Sequence, residues 1–253
     1  MNDEIERLAR IVEEASDLVF FTGAGVSTAS GINDFRSPGG VWSRMKPIEY
    51  ADFLADEAVR LEDWRRRFRF TRQFLAVEPN VAHRVVAGLV AQGRARGVVT
   101  QNIDGLHARA GLDPDRLVEL HGNGLSAACL ECAAPYALDA LERGIEETGR
   151  APICSRCGGI VKARVVSFGQ PMPEEPIGRA SEWALACDAM IAVGSSLVVN
   201  PAARLPEIAR RTGARLVIVN REPTPLDERA DLVVRQEISS VFEALGRRLG
   251  VGA

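Results

Sequence analysis

Leu18-Val19-Phe20-Phe21-Thr22-Gly23-Ala24-Gly25 is a short apolar, β-branched and aromatic run that stops at a threonine and turns through two glycines. A run of this length bounded by glycine reads as a strand buried on both faces, the kind found inside parallel sheets. Upstream of it, Ile5, Leu8, Ile11 and Val12 recur at helical spacing, so the order is helix, strand, glycine turn. Runs of the same kind recur downstream at Gly97-Val-Val-Thr-Gln101, Leu117-Val-Glu-Leu120, Ala189-Met-Ile-Ala-Val193, Leu216-Val-Ile-Val219 and Asp231-Leu-Val-Val234. Helical patterns over 80–92 and 202–212 lie between several of them. Strands alternating with helices specify right-handed βαβ units, hence an α/β protein with a doubly wound parallel sheet. Ligands in such sheets bind beyond the carboxyl ends of the strands.

Two segments break this rhythm. Residues 38–78 hold no strand run but carry aromatic and Arg-rich helical text, including Tyr50, Phe53, Trp64, Phe68, Phe70 and Phe74. Residues 123–165 hold Cys129-x-x-Cys132 and Cys154-x-x-Cys157, with helical text over 137–148 between the two pairs. Each CxxC turn offers two thiolates to one metal, and four thiolates close a tetrahedral zinc shell with no position left for water. Redox dithiols are the alternative; the tight local pairing and the surrounding Ala-Ala-Pro and Gly-Gly loops favour one structural zinc. Both segments read as insertions that together form a smaller zinc-binding and helical domain. The larger domain then comprises 1–37, 79–122 and 166–253.

The chain has 253 residues, 46% hydrophobic and 26% charged, with a net charge of -3. It is long enough for one large core carrying a small domain. It lacks the basic excess needed to grip a phosphate backbone, so nucleic acid is not an expected direct partner. The opening MNDEIERLAR is acidic and amphipathic, and no apolar run approaches the length that spans a bilayer, so no membrane partner is expected. Thiols kept reduced for metal suit the cytoplasm. Cys187, inside Trp183-Ala-Leu-Ala-Cys187-Asp-Ala-Met190, reads as a buried, unreactive thiol.

The chemistry-bearing residues sit at the predicted strand ends. Gly23-Ala24-Gly25-Val26-Ser27 either cradles phosphates on backbone N–H groups or is simply a tight connection, since the third glycine of GxGxxG is missing. Asp34-Phe35-Arg36 follows, a carboxylate and a guanidinium suited to a ligand with hydroxyls and phosphates, although a surface ion pair would read the same. Gln101-Asn102-Ile103-Asp104 ends one strand, where an Asn and an Asp are able to read a carboxamide. Gly194-Ser195-Ser196 and Asn220-Arg221-Glu222 end two more, placing hydroxyl and amide groups where a ribose or adenine would lie. Of the three histidines, His83 reads as packing and His107 as a hydrogen-bonded structural group. His121, at a strand end before glycine, is the candidate base, because imidazole titrates near neutrality.

In this order, Gly23 to Arg36, Gln101 to Asp104, His121-Gly122, the two CxxC pairs, Phe168-Gly169, Gly194-Ser195-Ser196 and Asn220 resemble the sirtuins, NAD-dependent protein lysine deacylases, over about residues 10–240. The resemblance implies a Rossmann-type domain, a zinc-bearing small domain, and a cleft between them where NAD and an acyl-lysine protein or peptide meet. It assigns Gly23, Ala24, Gly25, Ser27, Asp34, Phe35, Arg36, Gln101, Asn102, Ile103, Asp104, Gly194, Ser195, Ser196, Asn220, Glu222 and Ile238 to NAD. Asn102 and Asp104 would hold the nicotinamide, with Asn102 also catalytic, and His121 would activate a ribose hydroxyl. Val166, Phe168, Val198 and Val199 would flank the peptide as an added strand. The products implied are free lysine, nicotinamide and an O-acyl-ADP-ribose.

Several positions depart from that pattern. Asn33 stands where the family usually has Pro, Ser195 where it has Thr, Gln170 where an acidic residue follows Phe-Gly, and Asn200 where an aromatic is frequent. Sirtuins that prefer succinyl or malonyl groups carry a Tyr-x-x-Arg pair in the helical insertion; at the matching place this chain reads Trp64-Arg-Arg-Arg67, so an acetyl preference is expected. Competing readings are an NAD glycohydrolase or mono-ADP-ribosyltransferase using the same pocket, and a zinc-ribbon interaction module without catalysis. The last leaves the Gln101 to Asp104 set and His121 unexplained.

Overall fold

The computed structural model describes residues 3–34, 40, 43 and 45–252. The elements of the main sheet and its covering layers are α1 (Asp3–Glu14), β1 (Leu18–Thr22), a 3-10 segment (Ala24–Ser30), α2 (Tyr50–Ala55) and α3 (Glu57–Leu75) of the first insertion, then α4 (Val81–Ala91), β2 (Gly97–Thr100), α5 (Leu106–Arg109) and β3 (Leu117–Glu119). The second insertion supplies β4 (Gly122–Cys129), β5 (Pro135–Tyr136), α6 (Leu138–Thr148) and β6 (Val161–Val165). The chain then returns through α7 (Glu174–Ala186), β7 (Ala189–Val193), α8 (Arg204–Arg211), β8 (Arg215–Val219), β9 (Leu232–Val234) and α9 (Ile238–Leu249).

The six long-range strands form one parallel sheet in the order β3-β2-β1-β7-β8-β9. The chain winds outward from β1 in one direction and, after β7, in the other, so the switch of direction lies between β1 and β7. Alternate residues of each strand feed opposite faces. Phe20, Val98, Ile191 and Val217 meet α1, α4 and α9 on one side. Val19, Phe21, Val99, Met190 and Ile218 meet α7 and α8 on the other. Every residue of β1 and β7 is buried, as the unbroken apolar runs require. At about 1.5–3 kcal/mol per buried large apolar side chain, these two layers supply the dominant favourable term of folding.

The insertions pack on each other. β5-β4-β6 is a small antiparallel sheet, and Trp64 and Phe68 of α3 lie against its Ala127, Val161 and Ala163. The cysteines and the helical text over 137–148 are legible in the sequence of 123–165 but its strands are not, because Gly122 and Gly124 and a register shift between Gly122 and Ala127 interrupt the alternation that marks β4. No described helix is long and apolar enough to cross a membrane.

Candidate active site and metal centre

The carboxyl ends of β8, β7, β1, β2 and β3 bring Asn220, Gly194, Gly23, Gln101 and His121 into one row, since that is the strand order. Neighbouring strands lie about 4.8 Å apart, so the row spans about 19 Å, a length suited to a dinucleotide. A cavity of about 630 Å³ opens along it. At its centre two glycines let backbone pack on backbone: Gly25 N donates to Gly194 O at 2.8 Å. A Cβ on Gly25 would lie 2.8 Å from Gly194 Cα, and one on Gly194, whose φ is +62°, would lie 2.3 Å from Val26 N. Neither contact is tolerable, so this turn is reserved for glycine and leaves an open cradle at the strand ends.

The candidate base is held from behind. His121 Nδ1 lies 2.9 Å from the carbonyl oxygen of Gln101. A carbonyl only accepts, so Nδ1 carries the proton and Nε2 is the basic nitrogen. Gln101 is itself fixed, its N–H donating to Thr22 O at 2.9 Å and its Nε2 to Ser195 Oγ at 2.7 Å. Val166 N donates to His121 O at 2.9 Å, which ties the exit of β6 to the same residue.

Beneath the cleft floor lies a closed polar network. Asn102 Nδ2 donates to Gly23 O and to Ser27 Oγ, each at 3.2 Å, and Ser27 Oγ donates to Asp104 Oδ2 at 2.7 Å. Asp104 Oδ1 accepts from Leu106 N at 2.9 Å, a local turn just before α5. Burial raises the Asp104 pKa, opposed by those hydrogen bonds. His83 Nδ1 accepts from Asn80 N at 3.3 Å and its Nε2 faces Ser27 Oγ at 3.5 Å. Burial pushes His83 down to about 4. His107 Nε2 pairs with Thr22 Oγ1 at 2.9 Å, and burial lowers it well below 6.5. His107 is thus the hydrogen-bonded structural group that the sequence suggested, and His83, read there as packing, is buried and hydrogen-bonded at both ring nitrogens as well.

Of the residues assigned from sequence, Gly23, Ala24, Gly25, Asp34, Gln101, Asn102, Ile103, His121, Val166, Phe168, Gly194, Ser195, Ser196, Val199, Asn220 and Glu222 line the cavity. Ser27, Asp104, Val198 and Ile238 do not. Ser27 and Asp104 sit in the network just described, one step behind the wall. Val198 is 49% exposed on the loop after β7. Ile238 begins α9 and packs against the α1, α4 and α9 side of the core, because its apolar side chain belongs to that helix face. Phe35 and Arg36 lie outside the described residues.

The sequence reading left out much of the opposite wall. Asp63, Arg67, Phe70 and Phe74 of α3 line the cavity, and their spacing is a single helical stripe that would have pointed to a shared face. Arg67 Nη2 lies 3.7 Å from Asp63 Oδ1. Burial lowers the Arg67 pKa while Asp63 raises it. Lys162 stands nearby over the Phe53 ring at 5.7 Å, and burial, aided by the Arg67 charge, pushes it down to about 8. Trp64 lines nothing: it is fully buried and stacked on Phe68 at 5.4 Å. Gln170, a departure noted above, has a visible task. Its Oε1 accepts from Ser167 N at 3.1 Å and its own N–H donates to Ser167 O at 3.0 Å, closing the turn that presents Phe168. A carboxylate would accept the same bond, so the exchange preserves the turn.

The four cysteine sulfurs lie within 4.8 Å of one another. Cys129 and Cys157 Sγ are 3.5 Å apart and Cys132 and Cys154 Sγ 3.6 Å. Four thiolates at the Zn–S length of about 2.3 Å stand about 3.8 Å apart, so this donor set fits one zinc. Glu131 N and Arg156 N point at the Cys129 and Cys154 sulfurs at 3.4 Å, and Tyr136 Oη donates to Cys154 Sγ at 3.1 Å. These donors offset thiolate charge. Cys187 is buried elsewhere, and burial pushes it up to about 12.

Comparison with known proteins agrees with this geometry. A family model described as "Sir2 family" matches residues 23–201. The chain is 49% identical over 246 residues to NAD-dependent protein deacetylase 1 of Bradyrhizobium diazoefficiens, covering 97% of this chain and 95% of that one. It is 47% identical to an NAD-dependent protein deacetylase of Rhodopseudomonas palustris, covering 99% and 98%. A solved Sir2 complex with p53 peptide and NAD+ superposes with a TM-score of 0.87 at 33% identity, covering 99% of both chains. A Sir2 variant with deacetylated p53 peptide and 3'-O-acetyl-ADP-ribose gives 0.88 at 32%, covering 98% and 99%.

Proposed function

The chain belongs to the Sir2 family, and from that premise we propose how its cleft works. The protein is an NAD-dependent protein lysine deacylase that moves the acyl group of an acyl-lysine onto ADP-ribose and releases nicotinamide. NAD supplies the ribose carbon that receives the acyl oxygen and the leaving group that departs from it. The residues of this chain do the rest.

The Gly23, Gly25 and Gly194 turn would take the phosphates, with Ala24, Ser195 and Ser196 beside it and Asn220 and Glu222 closing the remote end. Asn102 would hold the nicotinamide end together with Ile103, and Ser27 and Asp104 would hold Asn102. Val166, Phe168, Val198 and Val199 would grip the peptide backbone on either side of the acyl-lysine. His121 Nε2 would take a proton from a ribose hydroxyl, because Nδ1 is committed to Gln101 O. That bond is the observation that carries the reading: it makes Nε2 the basic nitrogen of His121, which follows β3 and is the only histidine that lines the cleft among the described residues.

Residues 1–37, 79–122 and 166–253 would act as the nucleotide-binding domain, and 38–78 with 123–165 as the small domain. The packing of Trp64 and Phe68 on the three-stranded sheet supports that division. One zinc in the four-cysteine cluster would hold the small domain together without entering the reaction. Acyl-lysine proteins would be the partners, with neither nucleic acid nor membrane, in the cytoplasm; the net charge of -3 and the unpaired thiols support this part.

Mass spectrometry of an acyl-lysine peptide panel incubated with protein and NAD tests the assignment. Deacylated peptide and O-acyl-ADP-ribose in equal amounts are expected. Nicotinamide release with no change in any peptide would favour an NAD glycohydrolase or a mono-ADP-ribosyltransferase instead.

A further inference from the structure

The remote end of the cleft is walled by Asn220 and Glu222, which follow β8. One side chain outside the cleft gathers this loop. Arg235, the residue after β9, donates from Nη1 to Asn220 O at 2.9 Å and to Glu222 O at 2.7 Å. Its Nη2 donates to the Asp227 carboxylate. Asp227 in turn accepts from Thr224 N at 3.0 Å and Thr224 Oγ1 at 2.7 Å. Asn220 Nδ2 closes the knot on Glu222 O at 2.7 Å. Partial burial would raise the Asp227 pKa, but the Thr224 and Arg235 hydrogen bonds outweigh it and lower it. The loop is therefore fastened at three points to a guanidinium that is itself anchored at the end of a sheet strand. A planar fork with several fixed donors is suited to this, and a point charge is not.

Arg235 touches the wall from behind and does not line the cavity. We propose that Arg235 is a positioning residue for the dinucleotide: through Asn220, Glu222 and Asp227 it keeps the remote wall in its binding shape, so that its loss weakens binding of the ADP-ribose part of NAD and leaves the chemistry at His121 unchanged. The proposal rests on the NAD reading of the cleft. The separation of roles follows from the sheet, because β7, β1 and β2 stand between β8 and the end of β3 where His121 sits. A wall already ordered before the ligand arrives spares the ligand the entropy of ordering it.

The test is calorimetric titration of ADP-ribose into the wild-type protein and into R235L, R235K and D227N, paired with steady-state kinetics. R235L should weaken ADP-ribose binding about tenfold, which corresponds to about 1.4 kcal/mol. KM for NAD should rise by a similar factor, kcat at saturating NAD should stay within about twofold, and inhibition by nicotinamide should be unchanged. R235K and D227N should fall between R235L and wild type. Wild-type affinity for ADP-ribose in R235L would overturn the proposal. So would a parallel fall in kcat and nicotinamide inhibition, the signature of general unfolding. If the wild-type protein binds no ADP-ribose, the NAD reading fails, and this proposal with it.

Discussion

His121 Nδ1 and the Gln101 carbonyl oxygen are 2.9 Å apart, and Gln101 is in turn bound to Thr22 and to Ser195. The orientation of one imidazole is thus set by groups at the ends of three neighbouring strands. None of those groups is charged, so they fix the tautomer and orientation through hydrogen bonds alone.

His121→Ala should abolish most deacylation while leaving NAD affinity and melting temperature close to wild type. Removing a general base costs on the order of 10²–10⁴ in rate, and the ring is one contact among many along the cleft. Single-turnover assays with acetyl-lysine peptide read the loss, and calorimetric binding of NAD checks the rest. Near-normal turnover in the purified variant would remove His121 from its role.

One zinc per chain should be found, and its loss should lower stability. A thiolate shell contributes folding free energy directly, and here Cys129 and Cys154 are also core residues packed with Trp64 and Leu141. Elemental analysis should give a ratio of one. Cys154→Ser, or prolonged chelation, should lower the melting temperature by several degrees. Full activity in protein shown to be metal-free would contradict the structural assignment.

Stability should fall as pH drops below about 6.5. His83 and His107 are neutral in the folded state, with His83 at about 4 and His107 well below its ordinary 6.5. A folded pKa below the unfolded one means that the unfolded chain takes up the proton first as pH falls. Stability is therefore complete above the unfolded value, 6.5 for His83, and is lost progressively as pH falls towards 4, by about 1.4 kcal/mol per pH unit for each proton and about 3 kcal/mol in all for His83. Urea unfolding between pH 4.5 and 7.5 measures the slope. His83→Gln should make it shallower, and an unchanged slope in that variant would show that His83 titrates normally.

The parallel strands were legible because a strand buried on both faces declares itself locally: Leu18 to Thr22 and Ala189 to Val193 are unbroken apolar runs. The residues at their ends were legible for the same reason, since knowing where a parallel strand stops tells where a ligand sits. What was not legible depended on contacts distant in sequence. β4 and β6 lack clean alternation because Lys162 is buried within the small sheet and glycines open β4. Asp104 carries the polarity expected of a ligand contact, yet in this structure its carboxylate is spent on Ser27 and Leu106. Residue type alone does not distinguish a wall residue from the one that props it.

The acyl preference turns on Arg67. The guanidinium does line the cavity, which by itself would suit an acyl group ending in a carboxylate. Two observations argue against that use. Asp63 already stands 3.7 Å from Arg67 within the same buried pair, so an entering carboxylate would compete with a resident one. Trp64, at the place where the resemblance to the succinyl-preferring sirtuins puts a phenol, has no hydroxyl and is packed in the small-domain core; its Nε1 and the Arg67 Nε are both buried without a hydrogen-bond partner among the described residues. A carboxylate held by a single, partly neutralised guanidinium is stabilised less than one held by a fork and a second donor. Matched acetyl-lysine and succinyl-lysine peptides should therefore differ by at least about tenfold in kcat/KM, or about 1.4 kcal/mol in transition-state binding, in favour of acetyl. Asp63→Asn should narrow that gap by releasing Arg67. A tenfold preference for the succinyl peptide in the wild-type protein would make Arg67 the carboxylate clamp and reverse the assignment.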